Sequence, residues 1–293
     1  MAEHFEVRRL AGALGAEVRG LDLASADAAR ARTIEQLLYE HQVLFFPGQK
    51  LGRAAHLAFG EHFGQIEGHP HIENPTLRDD RILELAASGG GVADEWHSDL
   101  TFLPEPALIS ILQMVRCPAV GGDTLWANTY LAYERLSPPL RDLCEGLTAL
   151  HNAEPHGRPE VMTVHPMVRV HPETGRKALF VNEHFTRRIV ELSAAESALL
   201  LDYLTRWVAT PRFTVRYSWQ EGTVAMWDNR CTQHFVLNDF EEERVIQRVT
   251  VMGDKPEGAG ARWKPYLRSD GKSDTSRHDR LLRRYLREQA SES

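Results

Sequence analysis

Apolar positions along this chain follow two rhythms, one helical and one strand-like. Ala26–His41 places apolar residues at Ala29, Ile34, Leu37 and Leu38, the spacing of one face of an amphipathic helix. Ala54–Phe63 predicts a second helix. Between them, Val43–Phe46 is a compact apolar run ending at Pro47-Gly48, which reads as a buried strand and a turn. Phe5–Leu10 and Ala16–Leu23 predict short strands, the latter broken at Gly20. From Arg81 onward short β-type runs dominate: Ile82–Ala86, Ala107–Arg116, Val168–Val170, Ala178–Val181, Phe213–Trp219, Thr223–Trp227 and Arg244–Met252. Helices predicted over Leu131–Glu145 and Ala194–Val208 interrupt them.

Many short strands with Gly/Pro turns, and few regular βαβ units, predict an α+β, mainly β barrel or sandwich with peripheral helices. One domain over residues 1–257 fits this pattern. Residues 258–293 read as a polar C-terminal tail with a possible basic helix at Arg277–Gln289. At 293 residues and 42% hydrophobic the chain can bury a sizeable core. A net charge of −7 argues against nucleic acid and for a small-molecule partner. No run approaches the roughly eighteen apolar residues of a membrane span, and the N-terminus lacks a signal pattern, so a soluble cytoplasmic protein is expected. The cysteines Cys117, Cys144 and Cys231 form no Cys-x-x-Cys pair, so neither a disulfide frame nor a thiolate zinc site is expected.

Candidate chemistry concentrates in two stretches. In EWHSDLTF, His97 and Asp99 are one residue apart, and an extended chain puts both side chains on one face. An imidazole with a carboxylate suits iron(II), manganese or zinc. WDNRCTQHF supplies His234, completing a triad that leaves three positions open on an octahedral ion. Zinc hydrolases also use three protein ligands, so the triad alone does not name the metal. Further on, Arg244 and Arg248 lie four residues apart in a β-branched run and face the same way. Either two anionic groups neutralise them, or they reach solvent or pair with Glu241–Glu243.

His97-x-Asp99, GGDTLWAN (Gly121–Asn128) and WDNR-x-x-x-His followed by two arginines resemble the taurine/2-oxoglutarate dioxygenase family, over about Glu6 to Pro256. This group includes taurine dioxygenases, alkylsulfatases and aryloxyalkanoate dioxygenases. The resemblance implies a double-stranded β-helix, or jelly roll. It implies Fe(II) held by His97, Asp99 and His234, with 2-oxoglutarate and O2 as co-substrates. Thr124 and Arg244 would hold the distal carboxylate of 2-oxoglutarate, and Arg248 and His69 the anionic head of the substrate. Phe102 and Phe185 are candidates for the pocket wall or for core filling. Asn229 and Arg230 would brace the ligand loop.

The implied reaction, in sulfur metabolism, hydroxylates a small organic anion such as taurine or an alkyl sulfate. It gives succinate, CO2 and an unstable hydroxylated product. Taurine dioxygenases of this kind carry a tyrosine and an asparagine where this chain has Ile72 and Ala93. Both changes favour a more apolar substrate than taurine. Dimers or tetramers are common among the proteins it resembles, so a homo-oligomer is expected. A zinc-dependent hydrolase built on the same triad, and a non-catalytic jelly-roll binding protein, are the alternatives.

Overall fold

The computed structural model of the chain describes residues 5–71, 81–89, 93–267 and 277–292. They form two compact units. One comprises the chain up to Asp99 with Ala107–Asn128 and Pro211–Asp254; the other comprises Leu100–Pro106, Thr129–Thr210 and the chain from Lys255 onward.

An eight-stranded sheet forms the frame of the first unit. Its order is Glu6–Arg9, Ala16–Arg19, Val43–Phe46, Val224–Asp228, Ala107–Arg116, Val245–Met252 and Ile66–Glu67, with Ile82–Ala86 also paired to Val245–Met252. Ala16–Arg19 runs parallel to Val43–Phe46, and the other pairings are antiparallel. A second sheet pairs Thr214–Tyr217, Thr124–Asn128 and Thr232–Val236 in that order.

Period-two alternation assigns each face of the large sheet a different neighbour. Leu44, Phe46, Val224 and Met226 pack with Ile34 and Leu38 of helix Ala28–His41 and with Leu57 and Phe59 of helix Arg53–Glu61. Val43, Phe45, Ala225 and Trp227 instead share a cluster with Trp126, Val215 and Tyr217 of the small sheet. Phe45 and Tyr217 stack there with ring centroids 3.9 Å apart. Burial on both faces is why VLFF reads as an unbroken apolar run. Two mainly antiparallel sheets sharing one core, with helices outside, form the jelly-roll arrangement expected from the sequence.

The second unit holds the antiparallel sheet Thr186–Ile189, Thr148–Ala153, Arg158–Pro166 and a pair of strands, Val168–Val170 with Lys177–Leu179. The single helix predicted over Leu131–Glu145 is two, Thr129–Glu134 and Pro138–Glu145. Pro138 cannot continue a helix but is well suited to open one, and Ser137 sits at the N-cap. Helix Ala194–Val208 starts on a capping box formed by Ser193 and Glu196. The terminal helix Arg277–Glu292 is tied to this unit. Arg188 Nε lies 2.7 Å from Asp279 Oδ1, and Leu282 is buried with Leu150 and Val190. Among the described residues no helix is long and apolar enough to cross a membrane.

Candidate metal and co-substrate site

A short antiparallel bridge in the first unit joins the two candidate histidines. His97 N donates to His234 O at 3.1 Å, and His234 N donates to His97 O at 2.8 Å. Asp99 follows two residues later, so one bridge and one turn bring all three side chains together. Asp99 Oδ1 lies 3.8 Å from His97 Nε2 and 4.0 Å from His234 Nε2. All three residues are buried, and their donor atoms lie within 4.8 Å of one another.

His97 Nδ1 is 2.7 Å from Glu95 O. A carbonyl only accepts, so Nδ1 carries a proton, and Nε2, which faces Asp99, is the nitrogen left to bind a metal. Two imidazoles and a carboxylate around one point are the donor set of a divalent site of the iron(II) type. The residues present therefore fit the metal.

Asp99 is braced on every side. Ser110 Oγ donates to its Oδ2 at 2.6 Å and itself accepts from Asn229 Nδ2 at 2.9 Å. Asn229 Oδ1 accepts from Asp99 N at 3.0 Å and from Trp227 Nε1 at 3.1 Å. Asn229 thus braces the ligand loop, as expected, while Arg230 pairs with Asp228 at 2.7 Å. Arg248 Nη1 approaches Asp99 Oδ1 at 2.8 Å. Burial alone would raise the Asp99 carboxyl, but Arg248, then His234 and His97, hold it well below the usual carboxylate range. Leu100, next in the chain, has φ 58°. That conformation costs an L-residue about 1–2 kcal/mol, and such outliers gather at functional turns.

Arg244, Ile246 and Arg248 alternate along one face and line a cavity together with Thr124, Trp219 and His234. Arg244 Nε donates to Gly122 O at 3.2 Å, and Nη2 is buried without a partner. Burial pushes this guanidinium down to about 10, so it remains a cation at neutral pH. Gly122 has φ 70°, and a Cβ there would come within 3.2 Å of Arg244 Cδ. Glycine therefore lets the arginine lie against the loop. Thr124 Oγ1 accepts from Trp219 Nε1 at 2.9 Å. Neither Ser110 nor Trp219 was among the residues singled out by the sequence. Ser110 left one signal, a lone hydroxyl within the apolar run ALISILQMV.

His69 does not line this cavity, and its Nδ1 accepts from His71 N at 3.2 Å. Phe102 and Phe185 are both buried in the second unit, edge to face with centroids 5.1 Å apart. Ala93 lines the cavity. Ile72 lies outside the described residues.

A sequence model described as "Taurine catabolism dioxygenase TauD, TfdA family" matches residues 6–250. The chain belongs to this family. An alkylsulfatase of Acinetobacter baylyi is 39% identical over 292 residues, covering 92% of each protein. An alpha-ketoglutarate-dependent sulfate ester dioxygenase of Pseudomonas putida is 38% identical over 281 residues, 88% of this chain and 92% of that protein. The crystal structure of a taurine dioxygenase from Burkholderia xenovorans superposes with a TM-score of 0.79 at 37% identity, covering 87% of this chain and 91% of that one. This TauD/TfdA family member is therefore an Fe(II)- and 2-oxoglutarate-dependent dioxygenase with the jelly-roll fold. Membership decides against both alternatives raised by the sequence, the zinc hydrolase and the non-catalytic binding protein.

Proposed function

We propose that His97, Asp99 and His234 hold the ferrous ion, that Arg244 and Thr124 hold the distal carboxylate of 2-oxoglutarate, and that Arg248 receives the acid group of an alkyl sulfate or sulfonate. The observation that carries this reading is a set of unmatched donors beside the triad. Arg244 Nη2 and Arg248 Nε are buried without hydrogen-bond partners in one cavity. Each such group costs about 1–3 kcal/mol when left unpaired, and an anion on each arginine removes that cost.

When bound by His97, Asp99 and His234, the iron would supply oxygen activation. The protein's own residues orient and seal the site. Arg244 and Thr124 would fix one end of the 2-oxo acid, and Arg248 would fix the substrate with its Nε while its Nη1 steadies Asp99. Trp126, Trp219 and Trp227 keep water out. In the overall reaction one atom of O2 enters succinate as CO2 leaves. The other becomes a hydroxyl on the carbon bearing the sulfate oxygen, and that product breaks down to an aldehyde and sulfate.

Leu85, Ala86, Ala87, Ala93, Val236 and Phe240 make the rest of the wall apolar. An alkyl chain suits this wall. Taurine's ammonium would lose hydrogen-bond partners there at about 1–3 kcal/mol for each unmatched group. The names of the alkylsulfatase and sulfate ester dioxygenase relatives support the same choice.

Succinate release, measured with Fe(II) and 2-oxoglutarate across alkyl sulfates, taurine, other sulfonates and aryloxyacetates, tests the reading. Medium-chain alkyl sulfates are expected to be turned over fastest. Taurine as the best substrate would overturn the choice of sulfate ester. In a separate measurement, Arg248→Ala is expected to raise KM for the alkyl sulfate by about tenfold or more, as loss of a charge-assisted bond requires. KM for 2-oxoglutarate should move much less, and equal shifts would refute the division into two anion sites. A homo-oligomer, dimer or tetramer, remains part of the proposal, and light scattering on the purified protein checks it.

A further inference from the structure

Thr124 has one hydroxyl proton, and where that proton points decides whether the residue can hold an anion. Its oxygen accepts the indole N–H of Trp219 at 2.9 Å. An indole nitrogen only donates, so the Thr124 proton must point away from the ring. No hydrogen bond among the described residues takes up that proton, and Arg244 Nη2 in the same cavity is also an unmatched donor.

We infer that Trp219 is a positioning residue for 2-oxoglutarate, its indole N–H aiming the Thr124 hydroxyl proton at the distal carboxylate. The inference rests on the reading of Thr124 and Arg244 given above. A carboxylate has two oxygens, one for the hydroxyl and one for the guanidinium, and charge-assisted bonds to both are short and directional.

Trp219 itself is held firmly. Strand Thr214–Tyr217 pairs with Thr124–Asn128 so that Tyr217 opposes Thr124. The residues leading to Trp219 grip the one before Thr124: Arg216 Nε lies 2.6 Å and Ser218 Oγ 2.9 Å from Asp123 Oδ2. The indole packs edge-on to Tyr217 at 5.6 Å and tilted against Trp126 at 6.0 Å. A donor clamped in this way directs its acceptor without having to reorganise.

The test is a double-mutant cycle on binding rather than turnover. Affinity for 2-oxoglutarate is read by calorimetry on the Mn(II)-loaded protein, with pyruvate, which lacks the distal carboxylate, as the control ligand. Trp219→Phe keeps an aromatic side chain, though a smaller one, and removes the N–H, with the pyruvate control reporting any loss from the smaller ring. It is expected to weaken 2-oxoglutarate about five- to tenfold, the scale of one hydrogen bond, and to leave pyruvate unchanged. Thr124→Val should weaken 2-oxoglutarate by at least as much, and the double variant should bind no worse than Thr124→Val alone.

Unchanged 2-oxoglutarate affinity in Trp219→Phe, equal losses for both ligands, or additive effects in the cycle would overturn the role of Trp219 while leaving the anchor in place. An unaffected Thr124→Val would overturn the anchor itself, and this inference with it. Should Trp219→Phe fail to fold, the indole N–H resonance of Trp219 in the wild-type protein carries the same test. It should shift with 2-oxoglutarate and not with pyruvate, and a resonance indifferent to both overturns the inference.

Discussion

Asp99→Asn is expected to abolish Mn(II) binding and to lower 2-oxoglutarate-dependent succinate release by about a thousandfold or more. The change keeps the size of the side chain and removes the one anionic donor of the triad. Losing about 4 kcal/mol of stabilisation at the reacting centre corresponds to that factor. Asp99 is also the counter-charge of Arg248, at 2.8 Å in a buried setting. Removing one member of a buried pair strands the other, at about 3–5 kcal/mol. The metal-free variant should therefore unfold at a lower temperature than the metal-free wild type. Calorimetric titration with Mn(II) and a thermal melt measure the two effects independently. Full metal affinity in Asp99→Asn would remove Asp99 from the ligand set.

The second large effect is on the co-substrate. Arg244→Ala removes the buried cation that has a guanidinium nitrogen to spare, and truncating one side of a buried charged pair costs about 2–5 kcal/mol. The concentration of 2-oxoglutarate needed for half-maximal succinate release should therefore rise about thirtyfold or more. Arg244→Lys should recover only part of the loss, because an ammonium keeps the charge but not the planar fork. A half-saturating concentration unchanged from wild type in Arg244→Ala would mean that the carboxylate anchor lies elsewhere.

Some of this site is legible in the sequence for plain geometric reasons. His97 and Asp99 are two residues apart, and Arg244 and Arg248 are four apart, so an extended backbone puts each pair on one face. The arginines meet that expectation along the inner face of the large sheet. The His97/Asp99 pair meets by a different route. The chain is extended only at the His97 bridge, and Asp99 already opens the turn in which Leu100 is left-handed. No local spacing links His234 to this pair; the sequence offers it as a second cluster, WDNRCTQHF, and the order of family motifs supports the match.

Strands Thr124–Asn128 and Thr232–Val236 carry Thr, Asn, Gln and His, and the apolar pattern does not predict them. Thr124 and His234 serve the site while Asn128 and Thr232 bond the surrounding backbone, and these polar residues erase the apolar alternation by which a strand is recognised. The break at Ser137-Pro138-Pro139 was written in the chain, yet the apolar positions on either side read as one continuous helix. Hydrogen-bond direction is harder still to read. Nothing in the order of residues shows that Trp219 donates to Thr124 or that Ser110 donates to Asp99, because the first contact joins segments 95 residues apart and the second depends on how the turn at Asp99 folds back on strand Ala107–Arg116.

Visible absorption of the anaerobic protein, titrated with Fe(II) and 2-oxoglutarate, bears most directly on whether three buried side chains bind an iron that the 2-oxo acid then chelates. A weak charge-transfer band should grow to a limit at one 2-oxoglutarate per iron in the wild type and be missing in Asp99→Asn. No band in the wild type at saturating concentrations of both, or an undiminished band in the variant, would contradict it.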